Sequence, residues 1–371
     1  MGIKGLSKYI EQRCIKNGKN IRYASKLSDY EGHRIAVDCM DWLYKNIYAA
    51  NSKVLSTTRI EMEAPNRTEI MKLLKKAYLV FLDLCAQHTV IPIMVFDGKP
   101  PDEKEAVCDS RTKDRESRKS QIDALRSELE KLDFFDIPDQ KLNELRSLTK
   151  NHTYITPTEV GEFKDFVKAI GAPWLQALGE AEPLCSMLSI EYQVAAVLSC
   201  DSDNMVYGCR TLLEKIDHYE GAEPVYQSID NDDLLKLLDM SPEKFVDFAI
   251  MCGCDYNTNM KGIGPVNCFK LIQEHGNIDA LPPKYNTTCL NHGICRTLFQ
   301  YNPSRSLYEE GHLDYDKEQL GNMRAILDSC GMSEETDIIS GVVRNPPTIW
   351  FEYMYNPESK DVIKIDLRKK T

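Results

Sequence analysis

Three apolar runs rich in β-branched residues punctuate the chain: Arg34-Ile-Ala-Val-Asp38, Val90-Ile-Pro-Ile-Met-Val-Phe-Asp97 and Val194-Ala-Ala-Val-Leu-Ser-Cys-Asp201. Unbroken runs of this kind suit strands covered on both faces of a parallel sheet. Between them the apolar positions switch to helical spacing, notably over 67–87 and 159–170. That alternation predicts an α/β fold with a mostly parallel central sheet and flanking helices. Ligands of such sheets bind beyond the carboxyl ends of the strands. Each run closes on an aspartate, so the pattern predicts three carboxylates on one rim.

A charged insertion separates the second run from the third. Ile122, Leu125, Leu129 and Leu132 recur at helical spacing, as do Leu142, Leu145 and Leu148, with a break at Phe134-Phe-Asp-Ile-Pro138. The expected element is a helical hairpin, either a plain surface feature or a clamp over a substrate channel. Farther on, residues 241–276 read as helix, turn, helix, with Gly262-Ile-Gly264-Pro265 at the turn. Glycines there let a phosphate approach the backbone while N–H groups of the next helix face it, although an ordinary tight turn has the same sequence. The pattern of Thr348–Tyr355 and Val362–Leu367 around Asn356–Asp361 predicts a C-terminal hairpin.

Composition narrows the choice only a little. At 371 residues with 42% apolar and 28% charged side chains, the chain has the makeup of a soluble globular protein. No apolar run approaches the roughly 18–20 residues that span a bilayer, and no secretory leader pattern opens the sequence, so neither a membrane location nor export is expected. The formal charge of −11 is opposite to the basic footprint of most nucleic-acid binders. A local exception is Arg111-Thr-Lys-Asp-Arg-Glu-Ser-Arg-Lys119, with five basic residues against two acids. Thirteen irregularly spaced cysteines indicate free thiols in a reducing compartment. Cys289, His292 and Cys295, with Cys268 and His275 upstream, have spacing that could serve zinc, but no four-ligand pattern completes them.

The acids carry the chemistry. Beyond Asp38, Asp97 and Asp201 stand Glu180 and Glu182 in Gly179-Glu-Ala-Glu182, Asp203, and Asp255 in Gly253-Cys-Asp-Tyr256. Singly, each has a local explanation as a helix cap, a partner of a helix dipole or an Asx turn. Gathered at one rim they would repel one another unless cations neutralised them. All-oxygen ligands select Mg²⁺ or Mn²⁺, and two such ions about 4 Å apart can drive phosphodiester hydrolysis.

Five motifs in order and spacing resemble eukaryotic-type flap endonucleases of the 5′-nuclease superfamily: Met1-Gly-Ile-Lys-Gly-Leu6, Val95-Phe-Asp-Gly-Lys-Pro-Pro101, Gly179-Glu-Ala-Glu182, Asp201-Ser-Asp203, and Gly253-Cys-Asp-Tyr256 with Gly262-Ile-Gly-Pro265. The stretch Ala36–Lys45 is closer to the exonuclease-1 branch. The resemblance implies two Mg²⁺ ions, replaceable by Mn²⁺, held by Asp38, Asp97, Glu180, Glu182, Asp201, Asp203 and Asp255. It implies that Lys104 and Arg111 contact the scissile phosphate from the foot of a helical arch. Tyr44 would stack on a nucleobase, Gly2 would lie against the DNA, and Gly262, Gly264 and Lys270 would grip duplex backbone beside a K⁺ ion. The implied activity is Mg²⁺-dependent cleavage of DNA at 5′ flaps, nicks or recessed ends in replication, repair or recombination. Alternatives are a mainly 5′→3′ exonuclease, or a non-catalytic DNA-junction scaffold.

The resemblance spans about residues 1–340 and implies a nuclease domain over 1–345. Its parts are an N-terminal region 1–103, a helical arch 104–155, an internal nuclease region 156–240 and a helix–two-turn–helix 241–285. A hairpin and basic tail occupy 346–371. The chain departs from the family at Val266 and Asn267, where basic residues are usual, and at Pro183. It also lacks the C-terminal sliding-clamp box, which leaves clamp binding without a motif. A nuclear, monomeric protein is what the family implies.

Overall fold

The computed structural model describes residues 2–57, 66–132, 137–152, 154–220, 223–302, 307–338, 340–344, 346–349, 351–355 and 362–366. Eight strands form one sheet in the order β1-β7-β6-β5-β2-β3-β4-β8. The middle is parallel: β2 (Arg34–Asp38) lies between β3 (Ile91–Phe96) and β5 (Ala196–Leu198), with β4 (Trp174–Ala177) beyond β3 and β6 (Thr211–Glu220) beyond β5. Antiparallel strands close both edges, with β7 (Glu223–Asp230) and β1 (Arg22–Ser25) on one side and β8 (Tyr308–His312) on the other. The expected α/β architecture is therefore present.

Alternation along the strands sorts the core into two layers. Ala36, Ile93, Val95 and Val197 face one layer, built with α1 (Leu6–Asn17), α7 (Ala181–Ile190), α10 (Pro242–Cys252) and α11 (Pro265–His275). Ile35, Val37, Met94, Phe96 and Leu198 face the other, packed against α2 (Cys39–Thr57), α3 (Arg67–Gln87) and α6 (Pro157–Ala169). Both faces are buried, which is why these strands read as continuous apolar runs rather than alternating ones.

The chain runs outward from β2 to β3 and β4, then returns to lay β5 on the opposite side of β2. This reversal opens a crevice at the carboxyl ends of β2 and β5, where ligands of open α/β sheets bind.

The insertion is a helical hairpin, α4 (Glu105–Leu129) and α5 (Asp139–Asn151), with its own small core of Ile122, Leu129 and Leu145. Most of the expected break between them lies outside the described residues. In the C-terminal region, β9 (Phe351–Tyr355) and β10 (Val362–Asp366) pair antiparallel. The expected turn between them and the basic tail lie outside the described residues.

Candidate metal centre

Sheet register brings the three strand-end aspartates together. Asp38 pairs across from Val95, and Val37 from Leu198, so β2, β3 and β5 deliver their following residues to one rim. Only Asp38 belongs to a strand. Asp97 follows β3 by one residue, and Asp201 follows β5 by three. The expectation that each aspartate ends its strand is corrected to that extent: beyond β5 the Ser199 N–H still bonds the Leu213 carbonyl at 3.0 Å, while its side chain and the Cys200 N–H turn to Asp38 and Asp41.

Ser199 Oγ donates to Asp38 Oδ2 at 2.9 Å and accepts from the Asp201 N–H at 3.0 Å. The Asp203 N–H donates to Asp201 Oδ1 at 3.0 Å, the Asx geometry expected as a local alternative. Glu180 stands at the N-cap of α7 with Glu182 in its first turn. The next N–H, of Ala181, donates to Asp97 Oδ1 at 2.6 Å, so the positive end of the helix clamps an acid from another strand. Local roles and a shared site thus coexist in the same residues.

The electrostatics are those of crowded carboxylates. Burial first, then Asp97 and Asp41, push Asp38 up to about 7. Desolvation, then Glu180 and Asp201, raise Asp97 to about 6; its side chain opens to solvent, so the neighbouring charges matter more than burial. Burial and like charges hold Glu182 and Asp203 well above the carboxylate range. Asp201 is raised as well, chiefly by burial.

Two cations answer them. Lys104, nearly buried, donates to Glu180 Oε1 and lies 3.2 Å from Asp255 Oδ2. Arg111 Nη2 reaches the same Asp255 oxygen at 2.8 Å. Burial alone would lower the Lys104 ammonium, but Glu180, Glu182 and Asp255 hold it above its ordinary range. Seven acids against two cations leave the bowl under-neutralised.

Among the described residues, no three Asp, Glu, His or Cys side chains stand close enough together, as they are placed, to hold a metal ion. The acids instead line a bowl into which Lys104 and Arg111 reach. The residues nevertheless fit a hard divalent ion. Glu182 Oε2 and Asp203 Oδ1 are buried without a hydrogen-bond partner, which is costly for a carboxylate unless a cation fills the position. Every donor is oxygen, the set that suits Mg²⁺.

The remaining expected residues lie around this bowl. Gly2 has φ +91, and a Cβ there would overlap Asp201 Oδ1 and Ser202 Oγ. Tyr44 is half-buried on α2. Gly262 takes φ +76 and Gly264 caps α11, each with open space where a Cβ would be, and Lys270 is exposed on α11. Cys289, His292 and Cys295 do not gather as zinc ligands. Cys289 is exposed, His292 bonds Asp279 at 2.9 Å, and buried Cys295 Sγ lies 3.5 Å from the Leu290 carbonyl as donor.

Sequence reasoning missed Asp41, Tyr207 and Tyr256. Asp41 donates its N–H to Asp38 and accepts from the Cys200 N–H at 3.0 Å and from Lys45 at 2.7 Å. Its i+3 spacing from Asp38 at a helix start was the available signal. Tyr256 donates to Glu180 Oε2 at 2.5 Å and meets Tyr207 at 2.7 Å. Adjacency to Asp255 was its only mark in the sequence.

Comparison with known proteins places the chain in a family. Family models described as the XPG N-terminal domain and the XPG I-region match residues 1–119 and 171–255. Flap endonuclease 1 of Eremothecium gossypii is 30% identical over 75% of this chain and 68% of its own length. That of Zea mays is 28% identical over 86% and 78%. The fold is shared with flap endonuclease-1 from Methanococcus jannaschii (TM-score 0.57, 21% identity, 87% of this chain and 96% of that one). It is also shared with human GEN1 in complex with Holliday junction DNA (TM-score 0.57, 17% identity, 92% and 76%). With both XPG segments matched, and a 30% identical relative covered over two thirds of its length, the chain belongs to the flap endonuclease family of the XPG-type 5′ nucleases.

Proposed function

We propose that this chain is a structure-specific 5′ nuclease that hydrolyses phosphodiester bonds of DNA at 5′ flaps, nicks or recessed ends. What supports the reading is that acids of separate segments raise one another's pKa across one rim of the sheet, while Lys104 and Arg111 pair with two of them. Asp38, Asp97, Glu180, Glu182, Asp201, Asp203 and Asp255 would hold two Mg²⁺ ions, with Mn²⁺ able to substitute. When bound, the ions supply Lewis-acid charge at the scissile phosphate and lower the pKa of the attacking water.

The protein's own groups do the rest. Lys104 and Arg111 exchange Asp255 for the scissile phosphate and stabilise charge that builds there. Tyr44 offers an aromatic face to a base beside the cut, a contact generally worth about 1–3 kcal/mol. The bare backbone at Gly262 and Gly264, ahead of α11, would take duplex phosphates and could hold a K⁺ ion, and Lys270 adds charge. The arch carries Lys113, Arg118 and Lys119 exposed on α4, cations within reach of a displaced strand. A monomer suffices for all of this, and no clamp partner is assigned.

Incubation with Mg²⁺ and a labelled 5′-flap duplex tests the reading. Cleavage to a 5′-phosphate and a 3′-hydroxyl is expected, and lost in Asp203→Ala and Asp97→Ala while DNA binding persists. No cleavage by the wild type, or equal cleavage by Asp201→Ala, would sink it. On nicked duplex, short oligomers as products fit flap cutting, whereas mononucleotides would favour the mainly exonucleolytic alternative. An inert protein that still binds junctions would favour the scaffold.

A further inference from the structure

Three segments carry the outer acids of the bowl: the turn after β5 with Asp201 and Asp203, the start of α7 with Glu180, and the end of α10 with Asp255. A chain of hydroxyls ties the three together. Tyr207 closes the short helix Asp203–Val206, its N–H donating to the Asp203 carbonyl at 2.9 Å. Tyr256 directly follows Asp255. Its hydroxyl donates to Glu180 Oε2 at 2.5 Å and lies 2.7 Å from the Tyr207 hydroxyl. A tyrosine has one hydroxyl hydrogen, and that of Tyr256 is committed to Glu180, so Tyr207 is the donor to Tyr256.

Both rings are buried and lean on Phe299, at centroid distances of 4.9 and 5.5 Å. Phenylalanine would pack there equally well, so the core does not require the hydroxyls. A cavity of about 570 Å³ adjoins both rings. The two hydroxyls pair beside it, and the chain ends on a carboxylate whose other oxygen takes Lys104.

We propose that the Tyr207–Tyr256 hydroxyl pair is a positioning device that fixes Glu180 Oε2 and so holds this carboxylate in place for the divalent ion it would bind. The inference rests on Glu180 being a metal ligand, as proposed above. Partners of this kind behind a ligand typically change metal affinity or activity by about 10–100-fold when removed. Tyr207 acts one bond farther out and has the smaller effect.

The test measures Ca²⁺ and Mg²⁺ binding by calorimetry, together with the Mg²⁺ dependence of single-turnover flap cleavage, for wild type, Tyr256→Phe and Tyr207→Phe. Expected is a metal dissociation constant raised about tenfold or more in Tyr256→Phe and a few-fold in Tyr207→Phe. In EDTA the melting temperature should fall only slightly, as the loss of one buried hydrogen bond requires, DNA affinity should match the wild type, and excess Mg²⁺ should recover much of the lost rate. Wild-type metal affinity in both folded variants would overturn the proposal, as would a loss confined to stability. If Tyr256→Phe fails to fold, Tyr207→Phe decides by the same criteria. A wild type that neither binds divalent ions nor cleaves would refute the nuclease reading itself, which separates the two failures.

Discussion

Gly2 lies against Asp201 so closely that any side chain would overlap the carboxylate Oδ1. Its φ of +91 also suits glycine alone. The adjoining Ile3 N–H donates to Ser202 Oγ at 3.0 Å, and the Lys4 N–H to the Gly253 carbonyl at 2.9 Å. The N-terminal segment therefore spans the Asp201 turn and the end of α10. Gly2→Ala must move the Asp201 carboxylate or shift this segment. Flap cleavage should fall about tenfold to a hundredfold, the usual consequence of misplacing a reacting group by about 1 Å. Backbone strain of roughly 1–3 kcal/mol should lower the melting temperature as well. Single-turnover kinetics and a thermal melt check both, and wild-type rates would show that Asp201 tolerates the displacement.

Lys104 and Arg111 converge on Asp255 in the protein alone. Replacing Lys104 by alanine leaves Glu180 and Asp255 without their nearest ammonium. The metal-free variant should melt below the wild type, and Mg²⁺ should close most of that gap because it neutralises the same acids. Cleavage at saturating Mg²⁺ should still be slower by about 10²–10³, the usual cost of removing one charge-stabilising donor. Arg111→Ala should act in the same direction and less strongly, since Arg111 touches Asp255 alone. If DNA affinity fell and the single-turnover rate did not, both residues would be ordinary phosphate anchors.

The raised acids make metal-free stability depend on pH with a defined sign. Asp38 keeps its proton to about 7 in the folded chain, against an ordinary value of 3.8. Between those values the folded state binds more protons than the unfolded one, so stability falls as pH rises. Each pH unit of one group's shift is worth about 1.4 kcal/mol. For Asp38, only 4% exposed, the penalty above pH 7 is on the order of a few kcal/mol. Asp97 acts in the same direction, discounted for its exposure. In EDTA the melting temperature should therefore drop by several degrees from pH 5 to pH 8. Mg²⁺ should raise it more at pH 8 than at pH 5, where protons compete with the ion. A flat EDTA profile would mean that the bowl is already neutralised by its two cations.

The parts of the fold legible in the sequence were those buried on both faces. β2, β3 and β5 announced themselves because each face of the central strands meets a helix layer, leaving no polar alternation to confuse the period. The edge strands β1 and β8 gave no such signal: Arg22–Ser25 shows exposed and half-buried positions, and Tyr308–His312 is almost wholly exposed. Their pairing is set by neighbours distant in sequence. The acids were legible for a different reason, since local capping chemistry and the site use the same residues at strand and helix ends. Tyr207 and Tyr256 were not, because a buried tyrosine looks alike in sequence whether its hydroxyl serves packing or a carboxylate.

The start of α11 is the family position where this chain lacks charge. Val266 is 49% exposed and Asn267 is exposed beside it, next to the open backbone of Gly264. An exposed valine at a helix N-terminus contributes nothing to phosphate binding, so the duplex should be gripped by backbone N–H groups and Lys270 alone. Val266→Lys with Asn267→Arg should let the helix start neutralise up to two more phosphates. Duplex affinity should rise, and the slope of log K against log salt should steepen by roughly 0.9 for each additional phosphate neutralised. The single-turnover rate at saturating enzyme should stay at the wild-type value, since neither residue approaches the acids. Binding isotherms from about 50 to 200 mM salt measure this. An unchanged slope would mean that the N-terminus of α11 does not meet the duplex, and the grip assigned to Gly262 and Gly264 would have to be moved elsewhere.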